Sequence, residues 1–244
     1  MHDHVTSTTT VDGEAGVAYF SDETFAFLFD LDVFNSRGWM DANRERYELH
    51  VKRPLFDFCD DLADPLHEHV SDHLVSIGAI RGGSVFQIHR DTRFTKDKTP
   101  YKTAATAWFA HSDSDQTSFA LPGLYLHLEP GNCFMAAGIY RPPTSTLTAV
   151  RDRIVATPGA WTRARNAAEA AGFALVGDQL RTAPRGYDRT YRHIDDLRRT
   201  SYVARHGFDE SDATADDFLD RFVGWSTEAL PLLRFIARAL DAPF

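Results

Sequence analysis

The densest run of chemistry-bearing side chains lies between residues 91 and 102 and reads Asp-Thr-Arg-Phe-Thr-Lys-Asp-Lys-Thr-Pro-Tyr-Lys, with Arg90 immediately before it. Arginine is the ordinary cation of this chain: there are 22 Arg and only 4 Lys, and Lys96, Lys98 and Lys102 fall within seven residues of one another. An ammonium differs from a guanidinium in hydration and reach, so the clustering marks positions where lysine itself is wanted. Like charges held in a small volume repel, and such a loop needs an anion: phosphate, sulfate, or a carboxylate from a ligand or from the chain itself. The anion-binding set read from these residues is Arg90, Arg93, Lys96, Lys98, Tyr101 and Lys102. Asp91 or His89 is placed to move a proton if a reaction follows. Phe94 and Tyr101 are the apolar anchors that would hold the loop against the body.

Charge is unevenly distributed around this loop. Residues 1–80 carry a net charge of −11, residues 81–102 carry +4, residues 181–205 carry +4, and the whole chain carries −9. The second basic island, with Arg185 at a Pro-Arg-Gly-Tyr turn, extends the anion site if it folds against the first; otherwise it is a solvated face or a partner for the acidic helices. The overall acidity argues against an extended nucleic-acid or anionic-membrane surface.

Histidines offer weaker alternatives. His69 and His73 are four apart with His67 nearby, but the spacing is not HExxH and no further ligand is assigned, so no metal site is read. His89, and His127 between Tyr125 and Glu129 on one strand face, are acid/base candidates whose other reading is a satisfied sheet histidine. Phosphate-loop, dinucleotide, nucleophile-elbow and HExxH signatures are absent, which sets those common chemistries aside and leaves the cofactor and the reaction unknown. Cys59 and Cys133 belong to no CxxC pair, which fits a reducing compartment.

The elements that must position the loop follow from periodicity. Helix is predicted over 22–33 after a Ser21 cap, over 39–51 up to Pro54, and along a stripe from 55 to 74 with a restart near Asp64-Pro65. The period then changes to two: strands are predicted over 85–90, 103–110, 124–129 and 133–140, the last two joined by a Glu-Pro-Gly-Asn type II turn. Helices over 144–156 and 160–171, short strands over 173–176 and 202–204, and helices over 213–222 and 227–240 complete the chain. This order predicts an α+β fold, a mainly antiparallel sheet flanked by N-terminal and C-terminal helices.

With 244 residues, 43% of them hydrophobic and 25% charged, the chain can bury a core without disulfide or metal staples. Residues 1–18 read as a loose polar tail and 19–244 as one α+β domain. The tail lacks the apolar core of a secretory signal, and no stretch approaches the ~20 apolar residues needed to span a bilayer, so a cytoplasmic protein without membrane contact is expected.

The stretch from Val85 to Thr103, VFQIHRDTRFTKDKTPYKT, resembles the signature of domain-of-unknown-function family 2461. Further matches are Phe25-x-x-Leu28, the Asn35-to-Trp39 turn with Asn43-Arg44, Pro122 to His127, Gly138-Ile139-Tyr140-x-Pro142, Arg151-x-x-Ile154 and Pro184-x-Gly186-Tyr187. The sequence departs from the family pattern at Ser36, where a second Asn is usual, and at Met40, where an aromatic is usual. The resemblance implies one domain and carries no catalytic residue with it. Three readings of the basic loop stay open: a site for a small anionic, phosphorylated ligand; a module that docks an acidic partner; and an ion-pair cluster that only pins the loop.

Overall fold

The computed structural model describes residues 16–93, 95–114 and 119–244. Most of the tail read over 1–18, and the anchor Phe94, therefore lie outside the described residues. The N-terminal third is helical: α1 (Asp22–Val33), α2 (Arg37–Ala42), α3 (Arg44–Tyr47), α4 (Arg53–Asp61) and α5 (Ala63–His69). α1 opens at Ser21, whose N–H donates to the Thr24 hydroxyl at 3.1 Å. The preceding Phe20 is buried and packs its ring against Phe58 and Phe218.

Pro54 does not end the second predicted helix. A π-turn over Glu48–Lys52 carries the chain straight into α4 with Pro54 in its first turn; Pro54 has no N–H to give, and the His50 carbonyl four residues back accepts from the Thr24 hydroxyl at 2.7 Å. The next break falls at Leu62, before the Asp64-Pro65 pair.

The sheet has five strands: β1 (Ala105–Phe109), β2 (Gly123–Leu128), β3 (Cys133–Ile139), β4 (Ala174–Val176) and β5 (Tyr202–Phe208). All neighbours are antiparallel, in the order β1-β2-β3-β5-β4. β2 and β3 are joined by the expected turn, with the Asn132 N–H on the Glu129 carbonyl at 2.9 Å and Gly131 at φ +70°. β5 is longer than its predicted three residues. The polar and glycine positions from Arg205 to Gly207 weaken its sequence pattern, yet it pairs with β3 along its whole length.

The strand predicted over 85–90 lies beside β1 but its ladder is interrupted. Val85 bridges Ala107 and His89 bridges Tyr101, so four steps on one side face six on the other. The two extra residues on the second side form a bulge, which also delays β1 to Ala105. Hydrogen bonds from Phe86 N to Thr106 O, Lys102 N to Ile88 O and Arg90 N to Pro100 O close the base of the basic loop at 2.8–3.0 Å.

Alternation divides the sheet into two faces. Ala107, Phe109, Leu124, Leu126, Leu128, Met135, Ile139 and Tyr202 are buried in one apolar cluster with residues from the helices. The later helices α6 (Thr144–Ala156), α7 (Pro158–Ala170), α10 (Phe218–Glu228) and α11 (Leu230–Ala239) contribute to that cluster, with short helices α8 (Ile194–Leu197) and α9 (Glu210–Ala213) beside β5 in sequence. This is the α+β arrangement expected. Both cysteines are buried and unpaired. Among the described residues no helix is long and apolar enough to cross a membrane.

Candidate functional site

The other face of the sheet is not covered by the helical layer. It forms the floor of a cavity of ≈ 710 Å³, within the range of small-molecule sites. The floor is supplied by alternate residues of four strands: Thr106 and Trp108 on β1, Tyr125 and His127 on β2, Phe134, Ala136 and Gly138 on β3, and Val203 and Arg205 on β5. Phe86, Phe119 and Tyr140 form aromatic walls, while Arg90, Tyr101, Lys102 and Glu129 line the end nearest the basic loop.

Aromatic contacts fix the floor. Phe119 meets the Trp108 ring edge-on at 5.0 Å, and Tyr125 stands 5.8 Å from Phe134. Phe134 sits between two neighbours of opposite strands: the His127 imidazole stacks on it at 4.5 Å, and the Arg205 guanidinium lies 4.0 Å from its centroid.

A polar chain runs through this aromatic bed. The Tyr125 hydroxyl is 3.1 Å from His127 Nδ1, and His127 Nε2 is 3.2 Å from Glu129 Oε2. Glu129 is itself held by Thr103 Oγ1 at 3.0 Å and Asn132 Nδ2 at 2.6 Å, and Asn132 Oδ1 accepts from Arg205 at 2.6 Å. Burial pushes Glu129 up, but hydrogen bonds from Asn132, His127 and Thr103 outweigh it and leave the carboxyl below its ordinary range. An ionised carboxylate only accepts, so Nε2 carries the imidazole proton and Nδ1 is left to accept from Tyr125. Burial lowers His127 despite Glu129, and burial pushes the Tyr125 hydroxyl up to about 12. The resting chain at neutral pH is therefore tyrosine, neutral histidine and carboxylate.

Lys102 is the contrasting group. Its ammonium stands 5.2 Å over the Phe86 ring, half-buried, and has no ion-pair or side-chain hydrogen-bond partner among the described residues. Burial lowers its pKa. Arg205 likewise makes no ion pair among the described residues.

The remaining loop residues are placed differently. Arg90 lines the cavity while donating to Asp97 at 2.5 Å and to Thr99 Oγ1 at 2.6 Å. Arg93 makes a two-pronged contact with Asp91 at 2.9 and 2.7 Å, and its guanidinium holds the Asp91 carboxyl down to about 2. Lys98 donates to the Thr92 carbonyl at 2.7 Å, and Lys96 is exposed. Asp91, Arg93, Lys96, Lys98 and His89 do not line the cavity; His89 is exposed with its ring 5.0 Å from that of Tyr101. Arg185 is exposed and also stands outside it. The two basic islands meet at the cavity through Arg90 and Lys102 of the first and Arg205 of the second.

The residues that sequence reasoning passed over are aromatic: Trp108, Phe119, Phe134 and Tyr140. Their signal was present in the alternation, since Trp108, Tyr125 and Phe134 occupy positions opposite the aliphatic face of their strands. Among the described residues no three His, Cys, Asp or Glu side chains stand together as a metal site. His67 contacts the Leu74 carbonyl at 2.8 Å, and His73 stacks on His111.

No curated protein and no solved structure matches the chain. The model of the family described as Conserved hypothetical protein (DUF2461) matches residues 23–235, most of the chain, and the protein belongs to that family.

Proposed function

We propose that the protein binds a small anionic molecule with a flat apolar body in the cavity over the open sheet face. The body lies along Trp108, Tyr125 and Phe134, and the anionic group, a carboxylate or phosphate, is drawn to Lys102 with Arg205 and Arg90 as further positive charges on the wall. The observation that carries this reading is the half-buried ammonium of Lys102, unpaired among the described residues, facing a cavity whose floor is largely aromatic.

Magnitudes favour a ligand over a purely structural role. A cation–π contact supplies ~0.5–2 kcal/mol, whereas an ion withdrawn from water loses several kcal/mol of hydration, in proportion to its burial, unless a counter-charge replaces it. The loop cations outside the cavity need no ligand: Arg93 has Asp91 as counter-charge, Lys98 donates to the Thr92 carbonyl, and Lys96 is exposed to water. Among the described residues Lys102 has no counter-charge, and a bound anion would supply one.

Thermal melting with benzoate, phenyl phosphate, inorganic phosphate and sulfate tests the reading. A native-state ligand at 100 times its Kd stabilises by ~2.7 kcal/mol, and ~2–4 °C per kcal/mol for a chain of this size gives a rise of about 5–10 °C. The aromatic anions are expected to raise Tm more than the inorganic ones. Lys102→Met is expected to fold and to lose the response. No shift with any anion, or an equal shift in Lys102→Met, overturns the proposal.

A further inference from the structure

The Tyr125, His127 and Glu129 side chains share one strand face at two-residue spacing, and all three line the cavity. Their order has a direction. Glu129 is fixed by Thr103 and Asn132, so it can only hold the Nε2 proton of His127, and the imidazole is further clamped by its stack on Phe134. Nδ1 is thereby left to accept the Tyr125 proton; the phenolic oxygen also meets the Thr106 hydroxyl, which takes one lone pair and leaves the other for a hydroxyl bound in the cavity. The same two bonds would satisfy a structural imidazole; what sets this chain apart is that its tyrosine end lines a cavity.

We propose that this chain is a proton relay and that the cavity is a general-base catalytic site acting on a hydroxyl of the bound anion. The inference rests on the binding reading above and goes beyond it. The substrate O–H bond breaks as its proton passes to the Tyr125 oxygen, and the Tyr125 proton passes to His127 Nδ1. The electron pair stays on the substrate oxygen, and the resulting imidazolium is stabilised by the Glu129 carboxylate. Tyr125 is the catalytic residue in this scheme; His127 accepts the displaced proton, and Glu129 is the positioning residue. The substrate class is a flat acid carrying a hydroxyl, with its acidic group toward Lys102 and its hydroxyl toward Tyr125.

Nitrogen NMR of labelled histidine in the ligand-free protein is the first test. The Nε2–H tautomer is expected for His127 at neutral pH, and Glu129→Gln is expected to release it toward Nδ1–H. An Nδ1–H tautomer in the wild type overturns the relay with or without a ligand. The second test uses 4-hydroxy-3-nitrophenylacetate, whose phenolate is yellow. On binding, the ionised fraction of the probe is expected to be at least twofold higher in the wild type than in Tyr125→Phe, and His127 Nδ1 is expected to gain a proton only in the wild type.

A probe that binds and ionises equally in both proteins overturns the relay and leaves the binding reading standing. A probe that does not bind counts against the binding reading, and the relay is then decided by the free-protein tautomer. If Tyr125→Phe fails to fold, Glu129→Gln takes its place in the probe experiment with the same expected loss.

Discussion

The Asn35 side chain hydrogen bonds to both backbone groups of Tyr101: Oδ1 accepts from the Tyr101 N–H at 3.0 Å, and Nδ2 donates to the Tyr101 carbonyl at 3.1 Å. An amide side chain thus acts as a one-residue strand partner for the edge at the base of the basic loop. Tyr101 is buried, bridges His89 and lines the cavity, so this clamp ties the turn after α1 to the pocket end that carries Lys102. It also gives the Asn35-to-Trp39 match a physical role. Ser36 has a separate task as the cap of α2, accepting from the Trp39 N–H at 3.3 Å.

Asn35→Ala strands two partly buried backbone groups. Each buried group left without a partner costs ~1–3 kcal/mol, and a loss of about 2 kcal/mol in all is expected for this half-exposed pair, or about 4–8 °C in Tm. Urea denaturation checks it; an unchanged midpoint would show that the clamp is incidental.

Gly138 is the backbone position least able to change. It has φ +132°, and a Cβ there would collide with the Tyr202 carbonyl oxygen on β5. It pairs with Gly123 on one side and Val203 on the other, at the centre of the sheet and on the cavity floor. Gly138→Ala is expected to destabilise by more than ~3 kcal/mol, since strain and collision both act against an immobile backbone. Gly131→Ala, at φ +70° with open space around it, is expected to lose only ~1 kcal/mol. Parallel urea curves give the comparison.

Periodicity located β2 and β3 to within a residue, because each has a fully apolar face and a turn with a specific backbone demand between them. It misplaced the ladder over 85–90, because a two-residue slip in register is set by how Val85 and His89 dock on β1, which local pattern does not encode. For the site, residue type directed attention to the loop, where Arg93 and Asp91 neutralise each other over a two-residue separation. The cavity instead gathers Lys102, Glu129 and Arg205, more than a hundred residues from end to end. Tyr125, His127 and Glu129 were visible as a strand face, but their hydrogen-bond order depends on Asn132 and Thr103, which sequence spacing does not bring together.

Asp196 is the buried charge beneath the second basic island. Its carboxylate accepts from the fully buried Trp161 indole at 2.7 Å and from Arg165 at 3.2 Å, with Arg199 and His193 at 3.5 Å. The Tyr202 hydroxyl donates to its carbonyl at 3.0 Å. Removing one partner of a buried ion pair costs ~3–5 kcal/mol because the remaining charge is uncompensated. Asp196→Ala is expected to lose that amount, and Trp161→Phe, which removes only the neutral donor, about 1–2 kcal/mol. Equal losses in the two variants would show that packing rather than charge dominates this corner.

The His127 environment makes the stability of the sheet face depend on pH in a definite direction. Burial lowers its pKa, Glu129 opposes that shift, and Arg205 across Phe134 adds to it. The unfolded histidine titrates near ~6.5, so as pH falls the unfolded chain takes up the proton first and the native state is disfavoured. The contribution is fully present above about 6.5 and is lost as pH falls through the lower folded pKa. Wild-type stability measured by urea is therefore expected to drop more between pH 7 and pH 5 than that of His127→Gln, in which this group is absent while every other titrating group is retained. Arg205→Gln removes one of the two depressing influences and is expected to fall between them. A wild-type slope equal to that of His127→Gln would mean that the imidazole is already solvated in the native state, and the hydrogen-bond order assigned to Tyr125, His127 and Glu129 would fail with it.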